Sequence, residues 1–219
     1  RRGGQTVGII AIDPSSPFSG GALLGDRIRM RDLAGDEVVY IRSMASRGSL
    51  GGLARATGDV VKVLDAAGYD VGRVGTGGAG QWEVDIAGSA HTTRVVQAPG
   101  MGDDIQAIKA GIMEIADILV VNKADQPGAE ATANLLQMMQ RLGRDGPRAG
   151  GGHHRPAARE AELPPEESDW VVPIIQTVAI SGEGIPELVE VVRGHREFLV
   201  RSGQFRAREE ARVAREFEL

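Results

Sequence analysis

The chain has 219 residues, of which 42% are hydrophobic, 25% charged and 4% aromatic. That is the composition of a folded globular protein of one or two domains, and it excludes a disordered, collagenous or membrane-spanning chain. A formal charge of −5 speaks against a nucleic-acid binder that works through a basic face, and the absence of cysteine removes disulfides, thiolate metal sites and cysteine nucleophiles. No apolar run reaches the 18 or so residues of a spanning helix, and Arg1-Arg2-Gly3-Gly4 is not followed by a signal-peptide core, so the expected location is the cytoplasm, without a membrane partner.

Val7 to Ile12 is a continuous apolar run ending in Asp13-Pro14-Ser15-Ser16. A buried parallel strand looks like this, and it delivers its carboxyl end to a loop, where α/β sheets bind ligands. The Ser- and Gly-rich stretch to Arg47 holds a short strand at Val38 to Ile41. From Gly51 to Ala67, Leu53, Val60, Val61, Leu64 and Ala67 recur at helical period, with Gly68 placed to end the helix. Asp70 to Val74 reads as a strand, and Gly75-Thr76-Gly77-Gly78-Ala79-Gly80 as too flexible for a regular element.

Thr93 to Ala98 is a further strand, broken at Pro99-Gly100. A helix follows from Asp103 with Ile105, Ile108, Ile112 and Ile115 in one stripe. The strand Ile118 to Val121 runs into Asn122, and Gly128 to Leu142 is a helix of weak, Ala-rich amphipathicity. Residues 144–169, with Gly150-Gly151-Gly152 and four prolines, read as an exposed flexible insertion; His153-His154 within it are expected as surface residues. A strand from Val171 to Val178, a helix from Ile185 to Val200 and a charged helix over 201–219 with Phe205, Val213 and Phe217 along one side complete the chain. Alternating strands and helices predict an α/β fold, a mostly parallel sheet with helices on both faces.

The sharpest chemical signal is Asn122-Lys123-Ala124-Asp125 directly after an apolar strand. An aspartate carboxylate accepts two hydrogen bonds from the N1–H and exocyclic amine of guanine, while Asn and the Lys stem brace the loop and cover the base. Adenine offers no matching donor pair and would leave the carboxylate unpaired.

Further motifs occur in a fixed order around this loop: Asp13-Pro14-Ser15-Ser16, Gly20-Gly21, Leu24-Gly25-Asp26-Arg27-Ile28-Arg29-Met30, Gly51 to Thr57, and the run from Gln97 to Ile112, QAPGMGDDIQAIKAGI. Together they resemble the MeaB/ArgK family of P-loop GTPases, from about residue 5 to about residue 200. The resemblance implies a P-loop NTPase of the SIMIBI type that binds GTP and GDP with Mg²⁺. It implies Asp13 and Asp26 near the metal, and Asn122, Lys123 and Asp125 at the guanine. Val178 to Ile185 resembles the family's last guanine-contacting loop, S-A-x-x-G-x-G-I, with Ala179 supplying a backbone N–H although Val178 replaces the usual Ser. Thr76 to Glu83 resembles the family's switch loop, E-T-V-G-V-G-Q-S-E, which makes Thr76, Gly78, Gly80 and Gln81 candidates around the reacting phosphate. The implied partner is an adenosylcobalamin-dependent mutase of the methylmalonyl-CoA type, with a homodimer to which the C-terminal helix contributes.

Three departures qualify the resemblance. Gly75 stands where the family carries an acidic residue, Gly77 and Trp82 replace Val and Ser of the switch, and the glycine-rich Walker A loop with its lysine does not occur: the lysines are Lys62, Lys109 and Lys123. Backbone amides and that lysine supply most of the positioning for phosphoryl transfer. The expectation is therefore a GTPase domain over 1–200, N-terminally incomplete and weakly active or inactive alone, followed by the 201–219 helix. The rival expectation is a non-catalytic module that only binds the partner.

Overall fold

The computed structural model describes residues 4–13, 30–33, 35–45, 50–77, 84, 86–100, 115–145 and 169–218. They fall into two compact units, Arg1–Ser89 and Ala90–Leu219.

In the first unit β1 (Val7–Asp13) lies between β2 (Val39–Ala45) and β3 (Val71–Thr76), and both pairings are parallel. Ile10 and Ile12 of β1 are buried with Leu53 and Leu64 of helix α1 (Leu50–Ala66) and with Ile86. Gly8 belongs to the same face: a Cβ there would stand 2.6 Å from Leu64 Cδ1, so glycine lets the helix settle onto the strand. At the amino end of the sheet Thr6 and Asp70 clasp each other. The Thr6 N–H and hydroxyl both donate to Asp70 Oδ2, at 2.8 and 2.9 Å, and these bonds lower the Asp70 carboxyl below its ordinary range.

One expectation is corrected here. Gly75 and Thr76 are not part of a structureless glycine run but close β3, opposite Ala11 and Ile12 of β1. Ladder bonds use only backbone groups, so a central neighbour with a strong strand pattern extends β3 into glycine-rich sequence. β2 likewise extends past Ile41 to Ala45.

In the second unit the order is β4 (Arg94–Gln97), β5 (Ile118–Asn122), β6 (Ile174–Thr177), again parallel throughout. β5 is buried on both faces, and its two-residue period sorts the side chains. Leu119 and Val121 pack with Ala129, Ala133 and Leu136 of α2 (Ala129–Asp145). Ile118 and Val120 pack with Ile175 and with Leu188, Val191 and Val192 of α3 (Ile185–Arg201). Helices thus cover both faces of this sheet, as expected of parallel strands that read as unbroken apolar runs. β6 begins later than the Val171 start expected from sequence; Pro173 precedes it, lacking an N–H but accepting from Leu119 N through its carbonyl at 2.9 Å. Among the described residues the parallel strands form two three-stranded sheets, with α1 packed on the first and α2 and α3 on the second. The helix expected from Asp103 and most of the 144–169 insertion lie outside the described residues.

After Gly203, at φ 74°, α4 (Gln204–Glu218) is fastened to the amino ends of β4 and β5 by a buried polar cluster centred on Asp117. Arg208 donates from Nη2 to Asp117 Oδ1 at 2.8 Å and from Nη1 to Oδ2 at 3.0 Å, and the Thr93 N–H reaches Oδ2 at 2.8 Å. Arg208 Nη1 also donates to the His91 carbonyl at 2.6 Å, and the His91 ring stacks on Phe205 of α4. His195, with no exposed surface, pairs through Nδ1 with Thr92 Oγ1 at 2.9 Å. Its Nε2 lies 3.3 Å from Asp117 Oδ1, close enough for charge, although the geometry makes no hydrogen bond. Burial pushes the Asp117 carboxyl up, but His195, the bonds and charge of Arg208, and the Thr93 N–H outweigh it and hold the group down at about 2. Trp170 packs on His195 and Phe198, and its Nε1–H also donates to the Asp117 carbonyl at 2.7 Å. Among the described residues no helix is long and apolar enough to cross a membrane.

Candidate functional site

Because β5 and β6 are parallel neighbours, their carboxyl ends bring the loops after Asn122 and after Thr177 side by side. Asn122 closes β5 directly opposite Thr177. Its Oδ1 accepts from Thr177 Oγ1 at 3.2 Å and from the Ala179 N–H at 3.1 Å, and the Ala124 N–H donates to the Thr177 carbonyl at 3.0 Å. The asparagine thus ties the two loops together, which leaves the residues on either side to face a ligand.

Lys123 adopts φ 59°, the only left-handed non-glycine backbone among the described residues. Such a conformation costs a non-glycine residue roughly 1–2 kcal/mol and is kept where a loop has a task. It turns the chain so that the Gln126 N–H reaches the Lys123 carbonyl at 2.9 Å, and α2 starts after Gly128 at φ 91°. Asp125 is exposed in this turn, and its carboxylate has no partner among the described residues. It remains free to accept from a ligand.

The facing loop is a closed turn. The Val178 N–H donates to the Glu183 carbonyl at 3.0 Å, the Gly182 N–H returns to the Val178 carbonyl at 2.9 Å, and Ser181 Oγ reaches that carbonyl at 3.2 Å. Gly182 and Gly184 both have positive φ, 82° and 71°, and a Cβ on Gly184 would collide with the Gln176 carbonyl; glycine is obligatory there. Val178 in place of serine leaves the turn intact, because only its backbone groups are used. Between the loops lies a cleft of about 180 Å³ lined by Ala124, Asp125, Gln176, Thr177, Val178 and Glu183. The Asp125 carboxylate at this cleft can accept two hydrogen bonds of the kind that the N1–H and exocyclic amine of guanine offer.

The structure therefore gathers Asn122, Lys123, Asp125 and Ala179 into one place. It adds Thr177, which sequence reasoning passed over; the available signal was a polar residue at the buried end of a strand, in register with Asn122. For the metal, Asp13 ends β1 opposite Ala45, and Asp26 lies outside the described residues. Of the switch candidates, Thr76 is exposed at the end of β3, and Gly78, Gly80 and Gln81 lie outside the described residues. Among the described residues no cluster of three or more His, Asp or Glu stands ready to hold a metal.

Comparison with known proteins gives this geometry its family. The model of the family described as "Methylmalonyl Co-A mutase-associated GTPase MeaB" matches residues 1–219. The chain belongs to the MeaB family. A Pyrococcus abyssi protein named as a GTPase is 51% identical over 216 residues, covering 99% of this chain and 61% of its own length. The GTPase ArgK of Escherichia coli is 47% identical over 124 residues, 57% of this chain and 38% of the relative. The mouse protein named methylmalonic aciduria type A homolog, mitochondrial, is 32% identical over 209 residues, 94% of this chain and 45% of the relative. The chain thus spans about three-fifths of the length of the Pyrococcus abyssi relative. Family membership agrees with the P-loop NTPase architecture of parallel strands and flanking helices.

Proposed function

We propose that this chain is the guanine-reading part of a GTP-binding, GTP-hydrolysing accessory protein that serves an adenosylcobalamin-dependent acyl-CoA mutase in the cytoplasm. The observation that carries this reading is the coupling of the two loops through Asn122, with the exposed Asp125 carboxylate, which has no partner among the described residues, lining the cleft between them. The family description and the name of the mouse relative support a mutase of the methylmalonyl-CoA type as the partner. In this reading Asp125 accepts from the base edge, the Ala179 N–H passes from Asn122 Oδ1 to O6 of the bound base, Asn122 and Lys123 fix the loop, and Asp13 and Asp26 serve Mg²⁺, which shields phosphate charge when bound.

A second reading, a partner-binding module without turnover, has one specific observation in its favour. Among the described residues nothing lies within 4 Å of a Cβ placed on Gly75, so no described neighbour excludes the acidic residue that the family carries there, and the site forgoes that carboxylate.

The test is binding of fluorescent GDP and ADP to the purified chain, with and without Mg²⁺, alongside Asp125→Ala. The expected result is preference for GDP, with affinity lowered roughly 100-fold by the substitution while the melting temperature stays unchanged. Equal binding of GDP and ADP, or GDP binding indifferent to Asp125→Ala, overturns the guanine reading.

A further inference from the structure

In the first unit the parallel register lays Ser43, Ala11 and Gly75 in one row across β2, β1 and β3. Ile10 and Ile12 pack with α1, together with Met44 and Val74, so the strand period assigns this row to the opposite face of the sheet. Asp13, two residues beyond Ala11, belongs to that face by the same period. Ser43 Oγ is buried and has no hydrogen-bond partner among the described residues. A buried hydroxyl without a partner destabilises a fold, and alanine would fill the position without that cost. Such an exception in a sheet points to a polar group that the hydroxyl meets.

Strand spacing and rise together put the Asp13 and Ser43 backbones about 8 Å apart. A serine hydroxyl, an aspartate carboxylate and one water molecule between them fill such a span. A hard cation such as Mg²⁺ keeps several waters when only one or two carboxylates bind it, and groups outside the coordination sphere that hold those ligands in place set much of the affinity. The residues present fit an ion of this kind: a carboxylate-bearing residue at the strand end, and an orphaned hydroxyl one step below it on the neighbouring strand. Gly75, in the same row, offers no side-chain oxygen. We propose that Ser43 is a positioning residue for the divalent cation, its hydroxyl accepting from a water of hydration of the ion that Asp13 serves. This rests on the assignment of Asp13 to Mg²⁺ above and adds to it a group that touches the ion only through water.

The experiment titrates Mn²⁺, followed by its EPR signal, into the 219-residue chain with GDP present, and repeats the titration with Ser43→Ala, Ser43→Thr and Asp13→Asn. Melting temperature and GDP binding of each protein are also recorded without metal. Ser43→Ala is expected to weaken Mn²⁺ roughly tenfold, as the loss of an outer partner does, and Ser43→Thr, which keeps the hydroxyl, to recover most of that loss. Without metal, Ser43→Ala is expected to melt no lower than wild type, because the hydroxyl it removes has no partner there, and to bind GDP as wild type does. Asp13→Asn is expected to weaken Mn²⁺ further than Ser43→Ala. If Asp13→Asn weakens Mn²⁺ but Ser43→Ala does not, or if Ser43→Ala melts lower in the absence of metal, the inference is overturned and the assignment of Asp13 stands. If the wild-type chain binds no Mn²⁺, or Asp13→Asn binds it unchanged, the metal assignment itself fails and takes the inference with it.

Discussion

Asp117 and Asp125 stand at opposite ends of the same strand, β5, and are opposites in chemistry. Asp117, at the amino end, has a side chain only 11% exposed. Its carboxylate accepts from Arg208 and from the Thr93 N–H, and its carbonyl accepts from Trp170. Asp125, at the carboxyl end, is exposed, with a carboxylate that no described residue engages. A saturated, buried carboxylate holds elements together, and its removal strands its partners. A free one on a braced loop costs the fold little and is available to a ligand. On the proposed function the sheet separates a structural end from a binding end, in keeping with the general placement of ligands at the carboxyl ends of parallel strands.

The largest expected effect lies at the structural end. Asp117→Ala leaves Arg208 and the buried His195 without their carboxylate and is expected to cost about 3–5 kcal/mol in urea unfolding. Asp125→Ala is expected to stay within about 0.5 kcal/mol of wild type, as an exposed change without packing consequences. Equal losses for the two would break the comparison.

Titration sharpens it. The Asp117 carboxyl is held at about 2 against an ordinary 3.8, so its ionised form stabilises the fold. That contribution is complete above pH 3.8 and is lost as the pH falls towards 2. The gap corresponds to about 2 kcal/mol. Urea unfolding followed from pH 5 to pH 2 is expected to show this loss in the wild type, and Asp117→Asn is expected to lack it. An identical pH slope in both proteins would mean that the carboxylate is not the group being titrated.

At the binding end the turn itself is the vulnerable part. Gly184→Ala places a methyl group against the Gln176 carbonyl on a left-handed backbone and is expected to cost about 2 kcal/mol. It is also expected to weaken GDP binding, because the Ala179 N–H is held by that turn. Thermal melting and GDP titration of one variant check both effects. A stability loss with unchanged GDP affinity would show that the turn supports α3 and not the base.

How much of this was legible in the sequence follows from the range over which each feature is encoded. β5 and its loop were readable because Ile118 to Val121 is apolar on both faces and Asn122 to Asp125 follows without a gap. Gly184 was readable as part of a short pattern, although the carbonyl that makes it obligatory belongs to Gln176 on the preceding strand. β3 was read too short, since Gly75 and Thr76 carry no strand preference of their own and are ordered by the backbone of β1. The Asp117 cluster was not legible at all. It draws Thr92, Thr93, Asp117, Trp170, His195 and Arg208 from five separate segments, and no local spacing announces a contact made only by the tertiary fold.

Trp170 provides the finest test of that cluster, and the smallest expected effect within it. Its ring packs on His195 and Phe198, a contact that phenylalanine largely preserves, whereas the 2.7 Å bond from Nε1 to the Asp117 carbonyl has no substitute in Trp170→Phe. Loss of one bond to a partly buried carbonyl is expected to cost about 1 kcal/mol. Since Trp170 engages the backbone of Asp117 while Arg208 engages its carboxylate, the two bonds restrain the same residue from different sides. Combining Trp170→Phe with Asp117→Asn is therefore expected to give a total that departs from the sum of the single changes by more than about 0.5 kcal/mol. Strict additivity in urea unfolding would show that the tryptophan acts by packing alone, and that the Asp117 carboxylate is positioned by α4 without its help.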